Sequence, residues 1–390
     1  MAVSTNTSEP ATYKRKRIRW IDVREQLTGY LFISPALLLI TVFGLFPIIY
    51  AFYMSTYKWR VKQGKFIGLG NYTRALGDWQ GILVFVVGFA LLALAYWIWT
   101  KSFKSLDNRK LIAGVLSALF LIGAAWTIMY GWSVMQETGN DDFLNSLPIT
   151  VFYALGTVPA EIGIALGLAY LLYQKVRGQE LFRMFYFLPY ITPAVAAAVV
   201  FRTIFNPRDT SLANQFLGWI GVEPKDWLFE AEPFVNAMFG LELEGLIAGA
   251  SMALTSIIFF GIWTYIGYNT VIFLAGLGGI PNDLYEAAEI DGANRWQSFR
   301  NITLPLLSPV TFYLALIAFI GTFKAFNHIY VMRSPAALGT ADTASVFIFD
   351  TFYKANSYGD ATAQAIILFF IILALTLAQN KVFGEKVFYG

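Results

Sequence analysis

The sequence contains no cysteine and a single histidine, His328, among its 390 residues. Without cysteine the chain can form no disulfide bond, no thiolate metal site and no cysteine nucleophile. One histidine excludes a metal centre built from several imidazoles and leaves little for a His-based catalytic triad. The pattern G-x-x-x-x-G-K-[ST], which cradles the phosphates of ATP, is also missing. We therefore predict that the chain has no metal site, binds no cofactor itself and is not an enzyme.

Charged residues are scarce, at 14%, whereas hydrophobic residues make up 57% of the chain. This balance is too apolar for a soluble domain. Uninterrupted apolar runs indicate membrane-spanning helices, because barrel strands would alternate polar and apolar residues. A basic cluster at Lys14 to Arg17 precedes the first run, where it is expected to fix topology or to meet anionic lipid. The sequence predicts an all-α polytopic membrane protein that contacts the lipid bilayer and binds no nucleic acid.

Several apolar runs approach the length of about 20 residues that crosses a bilayer. They lie near residues 30–53, 82–100, 111–132, 147–173, 184–205, 249–274, 306–326 and 363–377. The first run follows basic residues, as in a signal peptide, but it is too long and lacks a small-residue cleavage pattern. We interpret it as a retained first span, which gives about eight transmembrane helices.

Lysine and arginine in the short flanking segments predict the orientation. In an eight-span arrangement most of them share one side: Lys14, Arg15, Lys16, Arg17, Arg19, Arg24, Lys101, Lys104, Arg109, Lys110, Lys175, Arg177, Arg183, Lys381 and Lys386. The segment 58–65, with four basic residues, falls on the opposite side as an exception. The majority predicts a multi-pass protein of a prokaryotic cytoplasmic (inner) membrane with both termini in the cytoplasm.

A polar stretch, EAAEIDGANRWQSFRNITLPLLSP, separates two apolar runs at residues 286–309. Its charged side chains cannot lie in hydrocarbon without a large cost, so we place it at the membrane surface. Local signals predict two short helices at an angle: Pro281 and Asn282 start one, Gly292 ends it, Asn294 with Gln297 forms a capping box for the next, and Pro305 stops that. The residues alone favour an interfacial helix hairpin that joins two spans.

The same stretch resembles the cytoplasmic coupling loop, or EAA loop, of ABC importer permeases. The matching positions are Glu286, Ala287, Ala288, Asp291, Gly292, Ala293, Phe299, Ile302, Pro305 and Pro309. So many fixed positions are more specific than a short motif. The resemblance implies that residues 277–305 enter a groove on a separate nucleotide-binding subunit. Small alanines would keep the inserted helix thin, Gly292 would allow a sharp turn, and Glu286 would offer a charge to the partner.

Further stretches extend the resemblance to carbohydrate-type permeases, including the maltose permease family. They read LFISPALLLITVFGLFPIIYAFYMS, FIGLGNYTRAL, FRMFYFLPYITPAVAAAVVFRTIFNP and IWTYIGYNTVIFLAGLGGIPNDLYEAAEIDGA. The resemblance implies a six-span type I permease core that works by alternating access and imports a sugar, an oligosaccharide or a related polyol or glycerol phosphate. It also implies three partners: a second permease subunit in a heterodimer, an ATPase dimer that holds ATP and Mg, and an extracytoplasmic solute-binding protein.

Two segments depart from the family pattern. About sixty extra residues separate GLGNYTRAL from DFLNSLPITVFYALG, and we predict that they form an inserted two-helix hairpin. The predicted organisation is a basic segment at 1–29, a first helix and outer loop at 30–78, the hairpin at 79–141 and the permease core at 142–390 with an outer loop at 206–248. The second departure is KAFNHIYVMRSPAALG, where Asn327 replaces an acidic residue and Arg333, Ser334 and Pro335 replace a GGP turn.

A substrate path is predicted from polar and aromatic residues inside the spans. Tyr265, Tyr268 and Asn269 share one helix face, an arrangement that can stack on a sugar ring and bond its hydroxyl groups. Glu161 lies near the middle of the fourth span, where an ionisable group is a functional candidate. Helix packing is the alternative explanation for each of these residues.

Two other classes of protein are weighed against the importer. A secondary transporter would hold a coupling ion within the membrane and show broken helices or repeat symmetry. A membrane enzyme acting on lipid or sugar would need clustered acids or a metal site at the interface, and no convincing cluster is found in the sequence. The genes beside this one would discriminate, because a second permease, a solute-binding protein and an ATPase accompany an importer.

Overall fold

The computed structural model describes residues 20–102, 109–174 and 178–384. The chain divides into two compact units, Met1–Tyr53 and Met54–Gly390. Helices dominate the described residues, whose strands form one short antiparallel pair. The predicted all-α fold class is therefore confirmed. Of the residues used to predict orientation, Lys14 to Arg17, Arg19, Lys104, Lys175, Arg177 and Lys386 lie outside the described residues.

The first apolar segment consists of α1 (Trp20–Leu39), a π-helical turn at Ile40–Leu45 and α2 (Phe46–Ser55). Residues Gln26–Ser55 are long and apolar enough to cross a membrane, as predicted for the first span. In the π-helical turn the Phe46 N–H donates to the Thr41 carbonyl. Pro47 follows at once; it has no N–H, and in a regular α-helix its ring would clash with the carbonyl four residues back. A wider turn at this point accommodates the ring.

A small clamp opens the second unit. Strands β1 (Tyr57–Trp59) and β2 (Gln63–Phe66) lead into α3 (Gly70–Leu76). The side-chain amide of Asn71 donates to the carbonyls of Ser55 at 2.6 Å and Tyr57 at 2.8 Å. Arg74 forms an ion pair at 3.3 Å with Asp360, near the start of the last helix. Asn71 and Arg74 thus tie three chain segments together, which gives the GLGNYTRAL stretch a structural role.

Helices α4 (Trp79–Ser102) and α5 (Arg109–Thr138) pack against each other as an antiparallel hairpin. Glycines allow the close approach: a Cβ on Gly88 would lie 2.5 Å from Ile128, and one on Gly131 would lie 2.6 Å from the Phe85 backbone. Small residues are typical of such contacts, because membrane helices associate by close packing. These two helices fall within residues 79–141, the block predicted to be an inserted hairpin.

Excision of this hairpin is expected to leave the remaining chain folded, because the two ends of the hairpin meet. Asn140 N donates to Ala75 O at 3.3 Å, and Asp78 N donates to Thr138 Oγ1 at 2.9 Å. A short glycine linker in place of residues 79–138 therefore demands little movement of the flanking helices, and removal of two spans preserves the orientation of those downstream. The measurement is the monodisperse yield and thermal unfolding of the shortened chain in detergent. Aggregation of the shortened chain alone would show that the hairpin belongs to the core.

The other helices follow in the order α6 (Asp141–Tyr173), α7 (Gln179–Ile191), α8 (Ala194–Ile204), α9 (Leu212–Trp219), α10 (Phe234–Phe239), α11 (Met252–Gly278), α12 (Asn282–Ile290), α13 (Arg295–Ser298), α14 (Leu304–Leu306), α15 (Ser308–Phe323), α16 (Asn327–Met332), α17 (Ala344–Tyr353) and α18 (Tyr358–Phe383). Single 3-10 turns lie at Trp227–Phe229, Gly245–Ala248 and Pro335–Ala337, and a second π-helical turn lies at Phe299–Thr303.

Among the described residues, six helices are long and apolar enough to cross a membrane, and two bent pairs bring the number to as many as eight. The predicted number of spans agrees with this count. The predicted fifth span, residues 184–205, was wrong as a single helix, because α7 and α8 meet at 97°. Pro193 causes the break: it forces Thr192 out of the helical region, to φ −66° and ψ 134°.

The boundaries of two later spans also differ from the prediction. The seventh was placed at residues 306–326, but α15 ends at Phe323 and is bent by 61° from the helical segment before it. The last was placed at 363–377, whereas α18 covers Tyr358–Phe383. Helix α17, a short apolar helix between these spans, was not predicted. Its first turn is buried in the protein, where Ala344 N donates to Thr150 Oγ1 at 2.9 Å.

Helices α6 and α11 form the centre of the second unit. Tyr153 on α6 and Phe260 on α11 are both almost completely buried, in one apolar cluster with residues of α8 and α16. The 27 residues of α11 span about 40 Å at 1.5 Å per residue. Loop 206–248 leads into the Met252 end, where Met252 N donates to Glu232 O. The segment 279–307 leaves the Gly278 end, so the two loops lie at opposite ends of α11.

Candidate functional site

The predicted coupling loop forms two short helices joined by a tight turn. Helix α12 starts after Pro281 and ends before Gly292, whose φ is +81°. The N–H groups of Gly292 and Ala293 donate to the carbonyls of Glu289 and Ala288. These bonds satisfy the end of α12, and the left-handed backbone they require suits glycine.

The second half of the loop confirms one prediction and corrects another. Asn294 Oδ1 accepts from Gln297 N at 2.9 Å, and Gln297 Oε1 accepts from Asn294 N at 2.7 Å, so the predicted capping box is present. Pro305 was predicted to stop this helix, which was wrong. Pro305 is the second residue of α14, directly after the π-helical turn at Phe299–Thr303. In this first turn its missing N–H is tolerated, and the helical path continues to Leu306.

The motif residues divide into an exposed group and a partly buried group. Glu286, Ala287, Asp291 and Gly292 are exposed, whereas Ala288, Ala293, Phe299, Ile302 and Pro305 are partly buried. Two large apolar side chains that the motif does not include, Ile290 and Trp296, are 87% and 65% exposed. Neither residue was predicted from the sequence, although an apolar residue inside an otherwise polar surface loop is a usable signal of a docking contact.

The partly buried group fixes the loop to the spans. The Phe299 ring packs on Tyr170 of α6, with ring centroids 4.6 Å apart. Tyr285 bonds Thr303 through their hydroxyl oxygens at 3.0 Å, which joins the two halves of the loop. Burial raises the pKa of Tyr285, which further favours the neutral phenol that shares this hydrogen bond. A displacement of the loop would therefore be transmitted to α6 as well as along the chain into α15.

The predicted path residues lie where α7 bends against α11. Tyr265 and Tyr268 of α11 flank Tyr190 of α7, with centroid distances of 6.1 Å and 4.7 Å. Tyr190 is 41% exposed and Tyr265 39% exposed, so their rings are open to contact from outside this chain. Tyr190 was missed, and its signal is the Thr-Pro pair two residues later that marks a break in the span.

Glu161 and Asn269 lie behind these rings and are buried, at 2% and 3% exposure. Asn269 and Tyr265 both lie near Glu161. Oε2 of Glu161 and Nδ2 of Asn269 nevertheless have no hydrogen-bond partner. Buried polar atoms are normally satisfied. The structure thus brings these four predicted residues into one region. Tyr265 and Tyr268 contribute an exposed and a partly buried aromatic ring, and Glu161 and Asn269 contribute buried polar groups without a hydrogen-bond partner.

The second segment that departs from the family pattern, KAFNHIYVMRSPAALG, contains two residues with defined structural partners. His328 is buried; its Nε2 lies 2.7 Å from the Tyr153 hydroxyl, and its ring stacks on Phe260. Arg333 pairs with Asp342 at 3.2 Å and with Asp350 at 2.9 Å. These ion pairs hold the segment between α16 and α17. Among the described residues no group of three or more His, Asp or Glu side chains is arranged to hold a metal ion.

Comparison with known proteins places these features in a family. The family described as "Binding-protein-dependent transport system inner membrane component" matches residues 161–387. The chain is 29% identical over 389 residues to the arabinooligosaccharides transport system permease protein AraP of Bacillus subtilis, covering 98% of this chain and 97% of that protein. It is 34% identical over 247 residues to AraP of Halalkalibacterium halodurans, covering 63% and 72%.

A crystal structure of a bacterial alginate ABC transporter, in complex with an alginate pentasaccharide-bound periplasmic protein, contains a chain with the same fold. Its TM-score is 0.60 at 18% identity, and the match covers 93% of this chain and 96% of that chain. The segment of this chain that matches the family, residues 161–387, includes the coupling loop and all four predicted path residues. This multi-pass membrane protein belongs to the binding-protein-dependent transport system inner membrane components.

Proposed function

We propose that the chain is the permease subunit of an ATP-driven importer for a carbohydrate, coupled to a separate ATPase through the loop at residues 277–305. The observation that carries this is the loop surface: Ile290 and Trp296 are exposed beside the carboxylate of Glu286. Exposed apolar residues rimmed by charge are typical of a docking site. The groove of a nucleotide-binding subunit fits such a projecting helix turn.

Coupling would work through the contacts at the base of the loop. Because Phe299 packs on Tyr170, closure of two ATPase subunits would move α6 together with the helical path into α15. A packed helix bundle responds to such a displacement by switching between discrete arrangements. In this mechanism ATP and Mg are bound by the partner ATPase, and this chain alternates the side on which its path is open.

A carbohydrate is the proposed cargo because of the surface formed by Tyr190, Tyr265 and Tyr268. Such aromatic faces stack on the apolar faces of sugar rings, and polar groups placed nearby fix their orientation. Glu161 and Asn269 have the unsatisfied groups that hydroxyl groups could bond. The relatives named for arabinooligosaccharides and the alginate transporter support an oligosaccharide.

The proposed assembly adds a second permease subunit and a solute-binding protein to the ATPase. The exposed face of α7, which carries Tyr190, would adjoin a second permease subunit, so that the tyrosine surface lies between the two permeases. The coupling loop would face the cytoplasm, with both termini on the same side. A solute-binding protein would dock at the opposite end of α11, where loop 206–248 lies.

Replacement of Glu286 by Lys tests this function. The change is expected to weaken ATPase association about thirtyfold, because breaking one charged contact at an interface costs about 2 kcal/mol or more. The chain should still insert in the membrane, because the side chain of Glu286 is exposed on the surface loop. The measurement is co-purification of the ATPase with the permease pair, followed by hydrolysis with and without loaded binding protein.

Glu244→Lys is the matched control, since it makes the same charge change in an exposed residue at the other end of α11. It should leave ATPase association unchanged. Unchanged association and hydrolysis in Glu286→Lys would contradict the coupling role of this loop.

A further inference from the structure

The groove between α8 and α9 has the chemistry of a phospholipid site. It is lined on one side by Val200, Thr203 and Ile204 of α8, and on the other by Arg208, Ser211 and Leu212. Helix α8 belongs to a bent pair that is apolar enough to cross the membrane. Its Ile204 end therefore lies near the membrane boundary, on the side opposite the coupling loop. The groove has an apolar wall toward the span and hydroxyl groups and a cation at its outer end.

Helix α9 is amphipathic and carries no charge, since its sequence is LANQFLGW. Asn214 and Leu217 lie on its buried face, and Asn214 accepts a hydrogen bond from the Trp227 indole at 2.6 Å. The opposite face is exposed: Phe216 at 59% and Trp219 at 83%. Aromatic residues on an uncharged face are typical of a helix that lies in the membrane interface.

The charge around α9 selects for a lipid rather than for a free anion. Loop 206–248 contains seven acidic residues (Asp209, Glu223, Asp226, Glu230, Glu232, Glu242 and Glu244) and two basic ones, Arg208 and Lys225. None of these acids lies on α9. Within the described part of the chain the Arg208 guanidinium has no ion pair or hydrogen bond, and it is exposed at the groove. A free phosphate would be repelled by the acidic loop, whereas a phospholipid is also held by its acyl chain.

We propose that α9 lies on the membrane surface and that the α8–α9 groove binds a phospholipid, with its phosphate on Arg208 and its acyl chain against Val200, Ile204 and Leu212. Phe216 and Trp219 enter the same leaflet. This site is separate from the coupling loop and the tyrosine surface. It would fix the outer end of the bent span and join loop 206–248 to the bilayer.

The first test measures bound lipid on the full chain in detergent by native mass spectrometry, with phosphatidylglycerol as the probe. Arg208→Gln is expected to weaken binding about tenfold, because a charge-assisted hydrogen bond to phosphate is lost. Lys225→Gln removes the same charge from the same loop outside the groove, and it should bind as the unaltered chain does. Equal binding by both variants would overturn the proposal, as would equally tight binding of inorganic phosphate.

The second test uses the absence of cysteine from the chain. Trp219→Cys and Glu223→Cys are each labelled with a polarity-sensitive fluorophore, and the full chain is reconstituted in nanodiscs that contain spin-labelled phosphatidylglycerol. Strong quenching at position 219 and little at 223 would support the proposal. Quenching of both labels by an aqueous quencher alone would overturn it. Protection of position 219 from both kinds of quencher would also overturn it, and would show that protein covers α9.

Discussion

Gly292→Trp is expected to abolish productive association with the ATPase while the chain still inserts in the membrane. Gly292 has φ +81°, and its neighbours leave open space around a built Cβ. The expected damage therefore comes from two sources other than an internal clash. A non-glycine residue strains this backbone by about 1 kcal/mol or more, and the indole adds bulk to the exposed turn that must enter a groove. The measurement is ATPase co-purification and hydrolysis stimulated by loaded binding protein.

Two controls separate backbone strain from bulk. Gly339→Trp places the same side chain at φ +78°, also in open space, between α16 and α17. It should reproduce the strain without affecting ATPase association. Gly292→Asn adds little bulk and tolerates the left-handed backbone, so it should retain most of the association. If Gly292→Trp assembled and hydrolysed ATP as the unaltered chain does, the turn would not be part of the docking surface.

The local structure of this loop could be predicted from sequence because its signals act over a few residues. Pro281, Gly292 and the Asn294–Gln297 capping box each satisfy backbone groups nearby, so their roles do not depend on the rest of the fold. Pro305 was misinterpreted because its effect depends on the π-helical turn before it. No local rule indicates that turn. Nor could the sequence show that Phe299 reaches Tyr170, a contact across 129 residues of chain.

The spans were predictable from composition, but their breaks and partners were not. The length of an apolar run indicates where a helix can cross a membrane. The direction in which the helix runs depends on single residues that bend or break it. The Pro193 break turns α7 against α8 by 97° and carries Tyr190 to Tyr265 and Tyr268. Helix α17 escaped prediction because a helix of ten residues is too short for a span. Whether Glu161 and Asn269 act on substrate or only in packing stays a prediction, since both explanations require burial.

Gly267→Ala is expected to cause a large loss of stability although it adds only one methyl group. A Cβ at Gly267 would lie 1.8 Å from the Tyr186 carbonyl oxygen and 3.0 Å from Phe187 Cα. Both are backbone atoms of α7, so no side-chain rotation relieves the overlap. The two helices must separate, which also withdraws Tyr190 from Tyr265 and Tyr268. Overpacking of this kind costs about 1–3 kcal/mol, and transport should fall more than membrane insertion does.

Gly163→Ala is the matched control, because Gly163 lies within α6 and its built Cβ meets nothing within 4 Å. Replacing a helical glycine by alanine stabilises the protein slightly where open space surrounds the new methyl group. The measurement is the thermal unfolding midpoint of each variant in detergent, with transport measured in proteoliposomes. If both the midpoint and the transport rate of Gly267→Ala equalled those of Gly163→Ala, the close contact between α7 and α11 would be contradicted. Lowered transport with an unchanged midpoint would instead indicate that the two helices separate easily, because the tyrosine surface would then be lost at little cost in stability.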